Sequence, residues 1–311
     1  MSGSLELDVL VHGADLSAVM IWHGLRLRGY RALLIHEAMR VSEGVVFLPF
    51  TSEWARYLGN MGVGGLSEER KVMLRAAGSF KGWFYPPASV CVGNVRKIAE
   101  NLISRVDEGV ELWCRGFRYK VCERGIEWAA NLRMSGEVRG EAQLLVETGT
   151  LDRGLGLVLL ETKLSSAEEP VLDLSTSPLS LMVPHEGIET WVRIGSEIEP
   201  KAALCRSKLT VSDRIDLGEM PVLHSGFRSG IARPPWLGDY LAASAQIGIH
   251  IAENWVNSGD INDNLASHIV EITTRSNLCL EILNRSMQGK LYEEEVSHIL
   301  EGLKPPPSYR P

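Results

Sequence analysis

The chain opens with a short apolar run, a glycine and a helix start, an order of residues that can hold phosphate. Residues 7–11 have the composition of a buried strand, and Gly13 follows them. Asp15 or Ser17 then suits the N-cap of a helix that runs to Arg28. A helix N-terminus offers unpaired backbone N–H groups and the positive end of a dipole, so this turn predicts an anion site.

A second apolar strand is predicted at residues 31–35, directly before His36 and Glu37. Strand, turn, helix and strand make one βαβ unit, which forces a parallel pair with a right-handed crossover. Gly13 suits the tight turn, and Ala18 permits close packing of helix on strand. A carboxylate after the second strand can accept hydrogen bonds from ribose hydroxyls, and Glu37 stands 24 residues after Gly13. The pattern therefore predicts a nucleotide site.

The rest of the chain alternates between helical and strand-like patterns. An amphipathic helix is predicted around residues 95–106, with Arg96 able to reach a phosphate from it. Residues 142–146 form an apolar strand that ends at Glu147, Thr148 and Gly149. Residues 175–184, rich in Ser, Thr and Pro, are predicted to be a loop. Further strands are predicted at residues 43–50, 155–164, 190–198, 203–211 and 220–224, two more around Gly116 within 110–121, and helices at 242–255, 261–287 and 292–303.

Four segments, in this order, resemble the aromatic-ring hydroxylase and geranylgeranyl reductase group of FAD-dependent oxidoreductases. The first is residues 7–18 with 31–37, set against the Gly-x-Gly-x-x-Gly/Ala fingerprint, and the second is residues 95–112. The third, residues 144–149, is similar to a family strand that ends in Ala-Thr-Gly. The fourth, residues 222–255, is similar to the family's Gly-Asp segment and the helix after it. Together these segments cover about a third of the chain.

The resemblance implies an α/β fold of the FAD type, with a Rossmann-like parallel sheet, an inserted antiparallel substrate lobe and C-terminal helices. It places the dinucleotide-binding lobe at residues 1–150, completed by 215–260, the substrate lobe at 151–214, and C-terminal helices and a tail at 261–311. It also implies FAD as the cofactor. The residues that would hold it are Gly13, Ala14, Asp15, Ser17, Ala18, Glu37, Arg96, Gly149, Gly226 and Gly238.

Three positions depart from the family's pattern, and all three affect the cofactor site. Asp15 replaces the second glycine, where pyrophosphate approaches. Two like charges about 4 Å apart cost on the order of 4 kcal/mol at an effective dielectric of ~20. A metal ion, a proton or a turned-away side chain would relieve this cost; otherwise Asp15 caps the helix and occupies the anion site itself. Phe227 replaces the aspartate of Gly-Asp, and Glu147 adds a further negative group.

Two functions therefore stay open. In the first, the protein binds FAD and transfers a hydride to, or oxygenates, a small or lipid-like substrate held in the second lobe. In the second, it is a cofactor-free relative that binds a partner or an apolar ligand, as Rab GDP-dissociation inhibitors keep this fold without a flavin. The sequence singles out no catalytic acid, base or nucleophile.

The composition argues against several classes of partner, location and metal site. The net charge of −7 and the pI near 5.7 argue against a nucleic-acid partner, whose phosphates need a basic face. No apolar run is long enough to cross a bilayer and no signal peptide is visible, so we expect a cytoplasmic protein. The five cysteines are odd in number and include no Cys-x-x-Cys pair, which argues against a disulfide framework or a zinc site.

Overall fold

The computed structural model describes most of the chain. The described residues are 5–38, 47–60, 62–75, 81–83, 89–106, 111–134, 136–149, 156–164, 166, 168–173, 179–195, 204–212, 214–233 and 236–288. The predicted helix at 292–303 and the predicted tail at 304–311 lie outside them.

Sixteen strands and five helices lie within these residues. The helices are α1 (Leu16–Leu27), α2 (Ser52–Asn60), α3 (Val95–Ile103), α4 (Leu237–Ser258) and α5 (Asp263–Met287). The strands are β1 (Leu5–His12), β2 (Ala32–His36), β3 (Phe47–Thr51), β4 (Arg70–Lys71), β5 (Met73–Arg75), β6 (Lys81–Trp83), β7 (Ser89–Asn94), β8 (Glu111–Cys122), β9 (Gly125–Leu132), β10 (Gly136–Glu147), β11 (Gly156–Leu164), β12 (Val171–Asp173), β13 (Leu179–His185), β14 (Ile188–Gly195), β15 (Cys205–Val211) and β16 (Val222–His224).

The first sheet is built around β1, which pairs in parallel with β2 on one side and with β10 on the other. The predicted βαβ unit is confirmed. β10 also pairs in parallel with β16, and β8, β9 and β10 form an antiparallel meander that returns to β2. The chain leaves β1 toward β2, whereas β10 lies on the opposite side, so a topological switch point lies between β1 and β10. Ligands of open α/β sheets bind outside the carboxyl ends of the strands at such a point.

Side chains alternate across this sheet and enter two different cores. Val9 and Val11 lie in a large core with residues of α1 and α4, which pack against each other. Leu10 enters a smaller core under the meander, together with Trp128 and Leu145. The helices therefore cover one face of the strand ends and the meander covers the other.

The second sheet has seven strands in the order β15-β11-β14-β13-β12-β5-β6, and its β15-β11-β14-β13-β12 run is antiparallel. β5 and β6 join this sheet from within residues 1–150. A separate three-stranded sheet has the order β3-β7-β4. The predicted fold class is confirmed, with a parallel sheet, an inserted antiparallel sheet and C-terminal helices.

Several predicted boundaries were wrong. The predicted loop at 175–184 contains β13, because Leu181 and Val183 alternate into the core and outweigh the turn-like composition around them. Residues 110–121 hold one strand with an irregularity between Cys114 and Gly116, where two strands were predicted. The predicted helix at 242–255 begins five residues earlier, at Leu237.

No helix among the residues that the structure describes combines the length and apolar character needed to cross a membrane.

Candidate functional site

The turn between β1 and α1 lies at the switch point and has room for a glycine only. Gly13 has φ of +151°, and its N–H donates to the Ile35 carbonyl of β2 at 3.0 Å. A Cβ on Gly13 would lie 2.0 Å from the Thr148 hydroxyl oxygen, which follows β10. The missing side chain therefore lets the ends of β1 and β10 close together in front of α1.

Asp15 is the N-cap of α1, and its carboxylate fills the space in front of the helix. Oδ1 accepts hydrogen bonds from Ser17 Oγ at 2.6 Å and Ala18 N at 2.9 Å. Oδ2 accepts one from Gly149 N at 3.0 Å. Burial raises the pKa of Asp15, and these hydrogen bonds oppose the rise. The protein thus places its own carboxyl group at the site where a helix N-terminus binds phosphate.

Gly226 closes the other side of this carboxylate. It has φ of +59°, and a Cβ there would lie 2.1 Å from Ser17 Oγ and 2.8 Å from Asp15 Oδ2. The Ser244 hydroxyl of α4 accepts a hydrogen bond from Gly226 N at 2.8 Å, which holds the loop in place. Asp15 is therefore contacted by Ser17 and Gly149 and flanked by Gly226. We call Asp15 with Ser17, Ala18, Gly149 and Gly226 the Asp15 cradle.

The structure brings most of the predicted site residues together. Gly13 and Ala14 form the turn that leads into the Asp15 cradle. Glu37 lies at the end of β2, where its Oε1 accepts a hydrogen bond from Phe117 N at 3.0 Å. The sequence did not indicate this contact, which ties β2 to the meander.

Two of the predicted site residues, Arg96 and Gly238, do not contact the Asp15 cradle in the structure. Arg96 forms an exposed i,i+4 ion pair with Glu100 at 2.7 Å on α3. Gly238 lies in the first turn of α4, where a Cβ would come within 2.5 Å of the Pro49 carbonyl oxygen. Gly238 therefore permits α4 to pack closely on β3.

FAD would bring two phosphates to the N-terminus of α1. Ala18 N and Gly149 N, which a pyrophosphate would use, donate to Asp15 instead. When ionised, the Asp15 carboxylate would repel a phosphate charge about 4 Å away by on the order of 4 kcal/mol at an effective dielectric of ~20. Phe227, where the family carries aspartate, is buried and offers no polar atom. The residues present at this turn do not fit the pyrophosphate of FAD.

A second group of polar residues lies on the meander side of the same strand ends. His12, Glu147 and His224 are register partners, one at the end of each of β1, β10 and β16. Oε1 of Glu147 lies 3.8 Å from His12 Nδ1, and Oε2 lies 3.7 Å from His224 Nε2 and 3.2 Å from Arg228 Nε. We call these four residues the strand-end cluster.

The cluster surrounds one carboxylate with three basic side chains. The pKa of Glu147 is lowered, first by His12 and then by Arg228 and His224, while burial opposes the shift. Glu147 is therefore ionised at neutral pH. Within the described residues, no group of three His, Cys, Asp or Glu side chains is arranged to hold a metal ion.

Sequence reasoning singled out only Glu147 of this cluster. His12 and Glu147 each precede a glycine-containing turn at the end of an apolar strand, which is a local signal. His224 and Arg228 reach Glu147 only because β16 pairs with β10, and no local spacing encodes that pairing.

Comparison with known proteins gives structural matches only. No protein-family model and no curated protein matches the sequence. PqsL from Pseudomonas aeruginosa, solved in complex with 2-aminobenzoylacetate, matches with a TM-score of 0.67 and 11% identity, covering 96% of this chain and 100% of that one. The p-nitrophenol 4-monooxygenase PnpA from Pseudomonas putida matches with a TM-score of 0.65 and 11% identity over 96% and 92% of the two chains.

A flavoprotein/dehydrogenase from Cytophaga hutchinsonii matches with a TM-score of 0.62 and 9% identity over 96% and 93% of the chains. A further PqsL structure carries the description of a probable FAD-dependent monooxygenase. The chain therefore has the fold of FAD-dependent monooxygenases, as the sequence resemblance predicted.

Proposed function

We propose that this chain is a small-molecule-binding protein that keeps the FAD-dependent monooxygenase fold without holding FAD at the β1–α1 turn. The observation that carries the proposal is the Asp15 cradle. Its carboxylate accepts hydrogen bonds from Ser17 Oγ, Ala18 N and Gly149 N, and Gly226 packs against it. These are the donors and the space that a pyrophosphate requires.

The cradle is a packed arrangement and not an open turn with one unfavourable residue. Asp15 satisfies the N-terminus of α1 and links it to the end of β10, so its removal would leave the N–H groups of Ala18 and Gly149 without these acceptors. With Asp15 in the place of the pyrophosphate, the fold is kept although FAD is not bound at this turn. A cytoplasmic location and the lack of a nucleic-acid partner stay predictions.

FAD-dependent oxygenation of a small molecule is the second candidate. The solved structures described above support it, because each matches 96% of this chain and they include a monooxygenase and a flavoprotein. In that case the flavin would supply the redox chemistry, and the nucleotide would have to be held by contacts other than those of the α1 N-terminus.

The visible absorption spectrum of the purified protein separates the two candidates. The proposal predicts no flavin band and no rise in melting temperature when FAD is added. A flavin band, with FAD released on denaturation, would support the FAD-dependent enzyme and overturn the proposal. PqsL, run in parallel, is a positive control for the thermal-shift measurement.

A further inference from the structure

We infer that the strand-end cluster binds a flat heteroaromatic ring that has N–H donors and an adjacent carbonyl acceptor on one edge, as guanine and pterin rings have. This inference rests on the proposed function, because it names the ligand class of the small-molecule site. The cluster lies at the carboxyl ends of β1, β10 and β16, at the switch point where ligands bind in open α/β sheets.

The polar atoms of the cluster are close together but incompletely bonded. Glu147 Oε2, Arg228 Nε and His224 Nδ1 are buried, and among the described residues none of the three makes a contact with hydrogen-bond geometry. Glu147 Oε2 and Arg228 Nε face each other at 3.2 Å, and His224 Nδ1 lies 3.3 Å from Oδ2 of the exposed Asp216. Arg228 therefore balances the charge of Glu147, but these contacts are poorly aligned, and a ligand that supplies well-aligned partners would stabilise the cluster.

The cluster is also reachable from solvent. The side chains of His12 and Arg228 are 24% and 38% exposed, whereas that of Glu147 is 12% exposed. The carboxylate therefore lies at the base of the cluster, with basic groups around its rim. A carboxylate only accepts hydrogen bonds and a guanidinium only donates them, so the pair is complementary to an edge that carries both kinds of group.

Aromatic rings beside the cluster favour a flat ligand. The His12 ring lies 4.3 Å from the Phe117 ring, at an interplanar angle of 33°, and the Phe117 ring lies 5.9 Å from that of Tyr119. Tyr119 is 38% exposed. Stacking on His, Phe and Tyr rings, combined with hydrogen bonds along one edge, is the usual way in which proteins hold an unpaired base.

The edge chemistry selects among flat rings. Guanine and pterin carry two N–H donors beside a carbonyl oxygen on one edge. On binding, the two donors would pair with the carboxylate of Glu147, and the carbonyl oxygen would accept from Arg228. Adenine offers an acceptor in the middle of the same edge, which would face the carboxylate. The geometry therefore favours guanine or pterin over adenine.

Equilibrium dialysis and thermal shift with guanosine, neopterin, adenosine and FAD test the inference on the full chain. Guanosine or neopterin should bind and raise the melting temperature, and adenosine should do neither. Glu147→Gln should weaken binding roughly 10- to 100-fold, because the amide replaces an acceptor by a donor. Glu141→Gln, which changes an exposed carboxylate on the same strand, is the matched control and should bind as the wild type does.

A readout on the wild type avoids reliance on a variant that folds poorly. The side-chain nitrogen signals of His12 and His224, assigned by NMR, should shift when guanosine or neopterin is added and not when adenosine is added. If only guanosine or only neopterin binds, the site is specific for a guanine or a pterin ring, respectively. Failure of both to bind, or binding that Glu147→Gln leaves unchanged, would overturn the inference. A flavin band in the same preparation would instead overturn the proposed function, so the two failures are distinguishable.

Discussion

The carboxylate of Asp15 and the backbone N–H of Gly149 are joined by a hydrogen bond of 3.0 Å, although 134 residues separate them in the sequence. Asp15 begins α1 after the central strand, and Gly149 follows β10. The bond therefore connects the two strand ends that flank the switch point. The other carboxylate oxygen, Oδ1, accepts the hydrogen bond from Ala18 N that caps the helix, so one side chain fills the site that an anion would occupy.

Replacing Asp15 by alanine should destabilise the protein by about 2–4 kcal/mol, because both the helix cap and the acceptor for Gly149 N are lost. Urea unfolding measures this change. Asn94 caps α3 through Lys97 N and is the matched control, so Asn94→Ala should cost only about 1 kcal/mol. Asp15→Asn retains one oxygen acceptor, so its loss of stability should lie between those of Asp15→Ala and Asn94→Ala. Equal losses for both alanine variants would show that the link to Gly149 adds nothing.

Gly226→Ala should be more destabilising than Gly149→Ala. Both glycines have positive φ, of +59° and +110°, so both variants strain the backbone, and at Gly226, which is near the left-handed helical region, this strain costs about 1–2 kcal/mol. A Cβ at Gly226 also meets Ser17 Oγ at 2.1 Å, whereas a Cβ at Gly149 meets nothing within 4 Å. Thermal unfolding of the two variants separates strain from overlap. Adding Ser17→Ala to both variants removes the hydroxyl that the new Cβ at position 226 meets, so the difference in stability between Gly226→Ala and Gly149→Ala should become smaller. An unchanged difference would show that Ser17 is not the source of the steric overlap.

Local patterns predicted the β1–α1–β2 unit, because the strand, cap and helix signals all lie within 37 residues. Asp15 was expected to cap the helix and occupy the anion site unless a metal ion, a proton or a turned-away side chain relieved the charge conflict, and the structure shows Asp15 as the cap. The partners of Asp15 were beyond local reasoning. Gly149 and Gly226 contact it only after β10 and β16 have paired beside β1. The composition of β13 resembled a loop because burial of its alternate residues depends on a core formed by distant segments.

Asp239→Asn should stabilise the protein at alkaline pH. Asp239 is fully buried, and burial raises its pKa to about 8, with Thr51 N as the donor to its Oδ1 and Glu53 adding to the rise. The folded state keeps this proton between pH 4 and pH 8 while the unfolded state loses it, so stability falls as the pH rises through that range.

The asparagine variant carries no charge and keeps an acceptor for Thr51 N. Its advantage should grow from pH 5 to pH 8 and reach on the order of 2–5 kcal/mol. Free energies of unfolding across this range measure the effect. Asp263→Asn, at an exposed site in the first turn of α5, is the control and should show no such growth. Parallel pH profiles for wild type and Asp239→Asn would contradict the account.

Glu147→Gln should show the opposite pH dependence. The pKa of Glu147 is lowered by His12, Arg228 and His224, so its ionised form stabilises the fold above pH 4.5, and that stability is lost as the pH falls through the folded-state pKa. At pH 7 the variant should be less stable by about 1–3 kcal/mol. As the pH falls below 4.5 toward the lowered pKa of Glu147, the difference in stability between the wild type and the variant should shrink. Urea unfolding at pH 7 and pH 3.5 checks both expectations, and a constant gap would mean that the charge is irrelevant.

The central claim is that Asp15 occupies the place of the FAD phosphates. Isothermal titration of FAD into the wild type and into Asp15→Gly, with circular dichroism to confirm folding, tests it most directly. We expect no binding to the wild type and measurable binding to Asp15→Gly, with a further gain when Phe227→Asp is added. FAD binding to the wild type that is as tight as binding to Asp15→Gly would contradict it.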